Sequence, residues 1–273
     1  MTTQYSSIAG AVFGFRRADY LAQTVKALEA NTEADNLTWY AFLDGPVNLI
    51  SGNRYAEDKQ VEDCYRVFCE SSLNFNITRN KHNRCIALQK HKAHRLYDKH
   101  DCVMFFEDDL VTSPYYIRLL RIALEQFPLY AVLLYTNSNK GKLNCLKVSR
   151  IARIWGYGMS KQLYLRIANR FSRYAEAMRS YDYLTRSFTP GLREALKKQK
   201  IPWHSHDVTI TRLSRKFGKG KLYPCMTRAK YIGKFGAIAY RTERMWLKRQ
   251  MHNQPKKYVY PSDAELTEFH IKG

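Results

Sequence analysis

The sequence predicts an α/β fold in which helices cover both faces of a mostly parallel central sheet. Three features lead there. Strand-like and helix-like segments alternate from residue 8 to about residue 136, the rhythm of parallel strands joined by crossover helices. The run Val103-Met-Phe-Phe106 is continuously apolar, as in a strand buried on both sides. It ends at once in three carboxylates, Glu107, Asp108 and Asp109, and the carboxyl ends of strands are where open α/β sheets bind ligands.

In chain order, Ile8 to Phe15 is the first strand. Ala18 to Asn31 follows with Tyr20, Leu21, Val25 and Leu28 at helical spacing. Thr38 to Leu43 reads as a strand closed by the turn Asp44-Gly45-Pro46. Glu57 to Glu70 is a helix, Asn74 to Thr78 a short strand, and Ile86 to Lys99 a helix leading into the central strand. Pro114 can open a helix running to about Phe127, and Tyr130 to Thr136 is another strand. The second half is less regular, with helices expected over Lys161 to Phe171, Thr189 to Gln199 and Val208 to Leu213.

A chain of 273 residues can bury one substantial core, and no linker-like composition divides it. The expected organisation is one catalytic domain over 1–240, its ligand-binding half at 1–136 and its acceptor half at 137–240. A basic, aromatic extension, mobile or wrapping, follows at 241–273. The N-terminal run Ile8 to Phe15 is broken by Gly10 and Gly14 and is too short to span a bilayer, which takes about 20 residues. The expectation is a soluble, cytoplasmic protein. Six cysteines form no Cys-x-x-Cys pair or zinc spacing, so free thiols in a reducing compartment are expected.

The formal charge is +21, from 45 Lys and Arg against 24 Asp and Glu. Such a field attracts nucleic acid, anionic lipid headgroups, nucleoside diphosphates and acidic glycans alike. Denser basic patches at Arg193 to Lys200, Arg212 to Lys221 and Arg241 to Arg249 can equally be solvated faces. Peripheral contact with an anionic membrane is one expectation, and no specific nucleic acid is expected.

Glu107, Asp108 and Asp109 set the chemistry. Carboxylates this close raise one another's pKa unless a cation or hydrogen-bond donors share them. The plain alternative is an acidic, solvated turn. The segment Phe105-Phe-Glu-Asp-Asp-Leu-Val-Thr-Ser-Pro-Tyr-Tyr116 resembles the Asp-x-Asp-type signature of GT-A glycosyltransferases. The likeness is to N-acetylglucosaminyltransferase I and bacterial family 2-like glycosyltransferases, and it runs weakly from Ile8 to Tyr240.

That resemblance implies a GT-A (Rossmann-like) sheet and a metal-dependent transfer of sugar from a nucleoside-diphosphate donor, UDP before GDP, to an oligosaccharide or glycoconjugate acceptor. Asp109 would hold Mn²⁺ or Mg²⁺, with Glu107 and Asp108 on the donor sugar and ribose. Arg16 after the first strand would meet phosphate or base, and Asp44 after the second would accept from the base; a cap or surface charge is the alternative for each. Arg79 belongs to Arg79-Asn-Lys-His-Asn-Arg84, which resembles the segment bordering the donor pocket, although relatives carry a glycine where Arg84-Cys85 stands. His94 matches a donor-contacting histidine. It stands three residues from His91, but no third zinc ligand accompanies the pair.

In the second half, Ile154-Trp-Gly-Tyr-Gly-Met159 resembles the acceptor-facing loop, implying Trp155 and Tyr157 as acceptor contacts. Trp203-His-Ser-His-Asp207, followed by Lys216-Phe-Gly-Lys-Gly-Lys-Leu-Tyr-Pro224, resembles the catalytic aspartate segment with its basic loop and late strand. Asp207 is then the general base of an inverting transfer, with Asp182 in reserve and a helix-capping role as the alternative. The family's late metal-binding histidine has no counterpart in Gly236-Ala-Ile-Ala-Tyr240; His252 and His270 are substitutes.

Three rival readings remain open. One is a retaining glycosyltransferase. Another is a basic single-strand-binding protein, suggested by Tyr258-Val-Tyr260 beside Lys256 and Lys257 but without a finger, recognition helix or aromatic sheet motif. The third is a two-metal nuclease or nucleotidyltransferase. The last two leave the ordered strand ends at Arg16, Asp44 and Glu107 to Asp109 unexplained.

Overall fold

The structure is a computed structural model describing residues 4–149, 154–185, 191–201, 203, 205–234, 247 and 254–272. Its first half follows the expected alternation: β1 (Ile8–Gly14), α1 (Ala18–Glu29), β2 (Thr38–Leu43), α2 (Asp58–Cys69), β3 (Asn76–Arg79), α3 (Cys85–Ala93) and β4 (Cys102–Glu107). β1 is buried at every position, and β4 at all but Glu107. β1 lies between β2 and β4 and pairs with both in parallel. Their carboxyl ends therefore meet at one edge, with Phe13 opposite Glu107 and Gly14 opposite Leu43.

The second half adds β5 (Leu110–Thr112), α4 (Tyr116–Gln126), β6 (Tyr130–Leu133), β7 (Cys145–Ser149), β8 (Tyr157–Ser160), α5 (Lys161–Met178) and α6 (Leu192–Lys198). After these come α7 (His206–Phe217), β9 (Gly220–Pro224), β10 (Ala229–Tyr231) and β11 (His270–Lys272). The main sheet has nine strands in the order β11-β7-β9-β6-β8-β4-β1-β2-β3, and β5 pairs separately with β10. Five of its eight strand pairings are parallel, so the expected mostly parallel sheet is found.

Two elements depart from expectation. The helix expected to reach Lys99 ends at Ala93 and tightens into a 3-10 turn over His94–Asp98, where Tyr97 donates to the carbonyl of Met159 at 2.9 Å. The segment read as an acceptor loop is largely strand β8, antiparallel to both β4 and β6. Gly158 is required there by close approach, since a Cβ would lie 2.4 Å from Leu124 Cδ1 of α4.

The cysteines also depart from the all-thiol reading. Cys145 and Cys225 form a disulfide across 80 residues with Cα atoms 5.4 Å apart, while Cys64, Cys85 and Cys102 are buried thiols and Cys69 an exposed one. Beyond residue 253 the chain packs on the body. Arg228 and Asp263 are fully buried and paired, with Nε to Oδ2 at 2.8 Å and Nη2 to Oδ1 at 2.9 Å. Arg118 Nη1 donates to the carbonyls of Asp263 and Leu266, both at 2.9 Å, and β11 then adds in parallel to β7. Among the described residues, no helix is long and apolar enough to cross a membrane.

Candidate functional site

Parallel pairing of β1, β2 and β4 gathers the residues that follow each strand. Arg16 and Arg17 leave β1, Asp44 leaves β2, and Glu107 ends β4 with Asp108 and Asp109 behind it. All six line one cleft of about 180 Å³, open to solvent. Its far wall holds Asn83, Cys85, Ile86 and Gln89 around the start of α3, and Trp155, Leu184 and Tyr231 come from the second half.

Asp44 shapes the α3 side. Its carboxylate accepts the backbone N–H groups of Arg84 and Cys85, both at 2.8 Å, and closes the loop that enters the helix. Burial pushes its pKa up to about 6, against the pull of those N–H groups. The folded state therefore holds a proton that the unfolded chain, at about 3.9, has lost. Stability from Asp44 is full at acid pH and is lost as pH rises through about 6. Relative to Asp44→Asn, the wild type should lose about 1 kcal/mol between about pH 5 and pH 7, read by urea unfolding at both values. A constant difference between the two proteins would refute this.

The acidic triplet is divided between two cations. Arg17 meets Asp108 through Nε, 3.1 Å from Oδ2, and through Nη2 to Oδ1; Nη2 also lies 2.7 Å from Asp109 Oδ2. Burial works against the charge on Arg17, but Asp108 and Asp109 outweigh it and hold the guanidinium firmly charged. Asp109 is 3% exposed. Burial pushes it well above the ordinary carboxylate range; Arg17 opposes the shift, and Asp108 and Glu107 add to it. Glu107 turns the other way, where the fully buried Lys90 reaches its Oε1 at 2.6 Å.

Lys90 extends this contact inward. Its Nζ is 3.1 Å from His206 Nε2, whose Nδ1 meets Tyr183 at 2.9 Å. Asp207 Oδ1 lies 2.7 Å from the same Nε2. Burial pushes Asp207 up, yet His206, Lys90 and Lys221 together bring it below the ordinary range, so it is ionised at neutral pH. Glu107, His206 and Asp207 present possible ligand atoms within 4.8 Å of one another. The ammonium of Lys90 already bridges Glu107 and His206, so this group does not suit a metal.

The cleft also exposes unmet polar capacity. Among the described residues, Arg17 Nη1, Asn83 Oδ1, Gln89 Oε1 and Asp109 Oδ1 are buried without a hydrogen-bond partner, and all four residues line the cleft. Orphaned buried polar atoms cost roughly 1–3 kcal/mol each. Four around one cavity mark a surface shaped for a polar ligand. Asp109 Oδ1 is also suited to a hard cation, since its partner oxygen is already held. Gly233 packs against the other oxygen, where a Cβ would come within 2.2 Å of Asp109 Oδ2.

Of the residues singled out in the sequence, Arg16, Asp44, Glu107, Asp108, Asp109 and Trp155 line the cleft. Arg16 Nη1 donates to the Tyr55 carbonyl at 2.5 Å. Trp155 stacks on Tyr231 with centroids 4.2 Å apart. Asp207 is not among the lining residues; its carboxylate lies within 4.8 Å of that of Glu107, which is, and its side chain is 19% exposed.

Arg79 is not among the lining residues; it pairs with Glu62 at 2.9 Å on the sheet edge. His94 is not there either. It is buried among Phe105, Tyr164 and Phe171 with neither ring nitrogen bonded, and burial lowers its pKa well below the usual value. Tyr157 faces the core, stacked on Phe105 at 4.8 Å, because β8 turns alternate side chains inward. Asp182 ties loops, accepting from Ser51 at 2.6 Å and Tyr55 at 2.5 Å. His270 sits on β11 beside Glu268, and His252 lies outside the described residues, as does the 236–240 segment.

Sequence reasoning missed Arg17, Lys90, Asn83, Gln89 and Tyr231. The adjacent Arg16-Arg17 pair was the available signal for the first, but the sequence leaves open which of two neighbouring arginines faces the acids.

No protein-family model and no curated protein matches the chain. Among solved structures, that of GalNAc-T7 with UDP, GalNAc and Mn²⁺ superposes with a TM-score of 0.51 at 6% identity. The match covers 85% of this chain and 44% of that one, so the chain spans less than half of that protein's length. The structure of galactosyltransferase LgtC in complex with donor and acceptor sugar analogs gives a TM-score of 0.41 at 12% identity, covering 78% and 72% of the two chains. The fold is thus GT-A, the nucleotide-sugar glycosyltransferase architecture.

Proposed function

We propose that this protein is a glycosyltransferase that moves a sugar from a nucleoside diphosphate, UDP by preference, to a hydroxyl of a glycan acceptor with inversion. The observation that carries the reading is the cleft itself: four unpartnered buried polar atoms around it, with cations and carboxylates side by side at the carboxyl ends of parallel strands. In support, the fold is shared with a structure that contains UDP and Mn²⁺.

Each wall has a task. Asn83 and Gln89 offer hydrogen-bonding capacity to the nucleoside beside Asp44, and Arg16 and Arg17 face its phosphates. Glu107 and Asp108, fixed by Lys90 and Arg17, present carboxylate edges to sugar hydroxyls. The stacked Trp155–Tyr231 pair gives an aromatic wall for a sugar ring. Asp109 Oδ1 would hold a divalent cation, with diphosphate and water completing its shell. When bound, that cation neutralises charge growing on the leaving diphosphate. Asp207 takes the proton of the acceptor hydroxyl as its oxygen attacks the anomeric carbon.

Calorimetry tests the donor side. Wild type should bind UDP more tightly with Mn²⁺ than without it. Asp109→Ala should lose that increment, about tenfold or more, while keeping its fold, because Arg17 retains both of its contacts to Asp108. Undiminished Mn²⁺ dependence in the variant would remove Asp109 from this role. A panel of nucleotide sugars scored for hydrolysis would then identify the donor.

A further inference from the structure

Arg17 is where the molecule goes beyond the proposed activity. Its guanidinium lies against the two carboxylates that a divalent cation would approach, touching Asp108 with two nitrogens and Asp109 with one. It is a positive charge built into the cation site. Its third nitrogen, Nη1, is buried and unbonded and belongs to a residue lining the cleft. Asp109 Oδ1 is buried and unbonded in the same way.

We propose that Arg17 is a resident counter-cation that opposes metal binding to the empty cleft and makes it depend on the incoming diphosphate. This rests on Asp109 as the cation ligand, and not on sugar transfer. With Arg17 and Lys90 in place, two of the three carboxylate charges are already balanced. A divalent ion at Asp109 Oδ1 would meet a guanidinium nitrogen held on the other oxygen of the same carboxylate, and like charges at that range repel strongly in a partly buried site. A diphosphate reverses the balance. Its negative oxygens can accept from Arg17 Nη1 and can ligate the cation, so repulsion between two cations becomes joint attraction to one anion. Metal and nucleotide then bind cooperatively, each raising the affinity for the other by the same factor.

The same geometry distinguishes Arg17 from Arg16. Arg16 is tied to the Tyr55 carbonyl and reaches no carboxylate among its described contacts. Replacing Arg16 should weaken nucleotide binding without altering the response to metal alone.

The test is a binding cycle with Mn²⁺ and UDP on wild type, Arg17→Gln and Arg17→Lys, followed by calorimetry and by thermal unfolding. Wild type should bind Mn²⁺ alone weakly, and UDP should tighten it about tenfold or more. In Arg17→Gln, Mn²⁺ alone should bind about tenfold more tightly, with most of the coupling to UDP gone. Removing the arginine leaves Asp108 and Asp109 unpaired, so the variant should melt lower, and Mn²⁺ should restore its melting temperature by more than it raises that of wild type. Arg17→Lys, which keeps one charge but not the fork, should fall between the two and guards against a variant that fails to fold.

Equal or weaker Mn²⁺ binding in Arg17→Gln, with no metal rescue of its melting temperature, would overturn the proposal even if Mn²⁺ still tightens UDP in wild type. No Mn²⁺ binding by any form, with or without UDP, would overturn it together with the metal role of Asp109.

Discussion

Asp207→Asn is expected to cut turnover roughly 10²- to 10⁴-fold, the range for loss of general-base action, with nucleotide affinity close to wild type. The carboxylate stands in the first turn of α7, where the helix N-terminus favours negative charge. His206 and Lys90 add to that preference, and Asp207 is ionised and ready to accept a proton at neutral pH. Asparagine keeps the size and removes the basicity. Because Asp207 is not among the residues that line the donor cleft, KM for the donor should change little while kcat falls. The acidic limb that Asp207 itself imposes on kcat/KM should lie below the ordinary aspartate value of about 3.9, so that Asp207→Asn does not alter any fall in activity seen above that pH. Product stereochemistry by NMR decides the role: an α-linked donor should give a β-linked product. Retention would overturn the assignment, even with an inactive variant.

Asp263→Ala should destabilise the protein by about 3–5 kcal/mol, the cost of stranding one member of a buried ion pair. Arg228 would keep its carbonyl partners, Met226 and Leu143 among them, but would lose both carboxylate oxygens in a fully buried setting. The backbone carbonyl of residue 263, which alanine keeps, still ties the 3-10 turn Pro261–Ala264 to α4 through Arg118, so the loss is that of the ion pair. Urea unfolding measures the loss. A double variant with apolar residues at both positions should recover much of it, since no charge is then left unpaired. A single variant within about 1 kcal/mol of wild type would contradict the packing described for residues 254–272.

How far this was legible in the sequence differs between the two halves. β1 and β4 were readable because buried strands are nearly unbroken apolar runs, β2 from its apolar end and the turn that closes it, and parallel order then placed Arg16, Asp44 and Glu107 to Asp109 on one edge. β5, β10 and β11 have three residues each, too few for a period to show. The glycine-containing segment of β8 resembles an acceptor-facing loop, whereas in the fold Gly158 is a concession to Leu124 within a strand. Tyr157 and His94 were assigned outward by resemblance, and tertiary packing turns both into the core. The Cys145–Cys225 bond joins segments 80 residues apart and has no local signal. Lys90 was hidden for a related reason: a lysine in the middle of a helix reads as solvated until its buried acceptors are known.

The main sheet is long, yet both of its margins are brief. At one end stands β3, with four residues and a charged arginine at its close; at the other stands β11, with three residues and Lys272. Short, charged margins discourage another chain from adding to the backbone ladder, which is how folded proteins avoid polymerising through their edges. β11 also shields β7, whose Val148 is 51% exposed. The C-terminal segment thus has a colloidal role besides its structural one. A chain cut just ahead of β11, which keeps the Arg228–Asp263 pair, would present the bare, five-residue β7 ladder to its neighbours and would be prone to sticking.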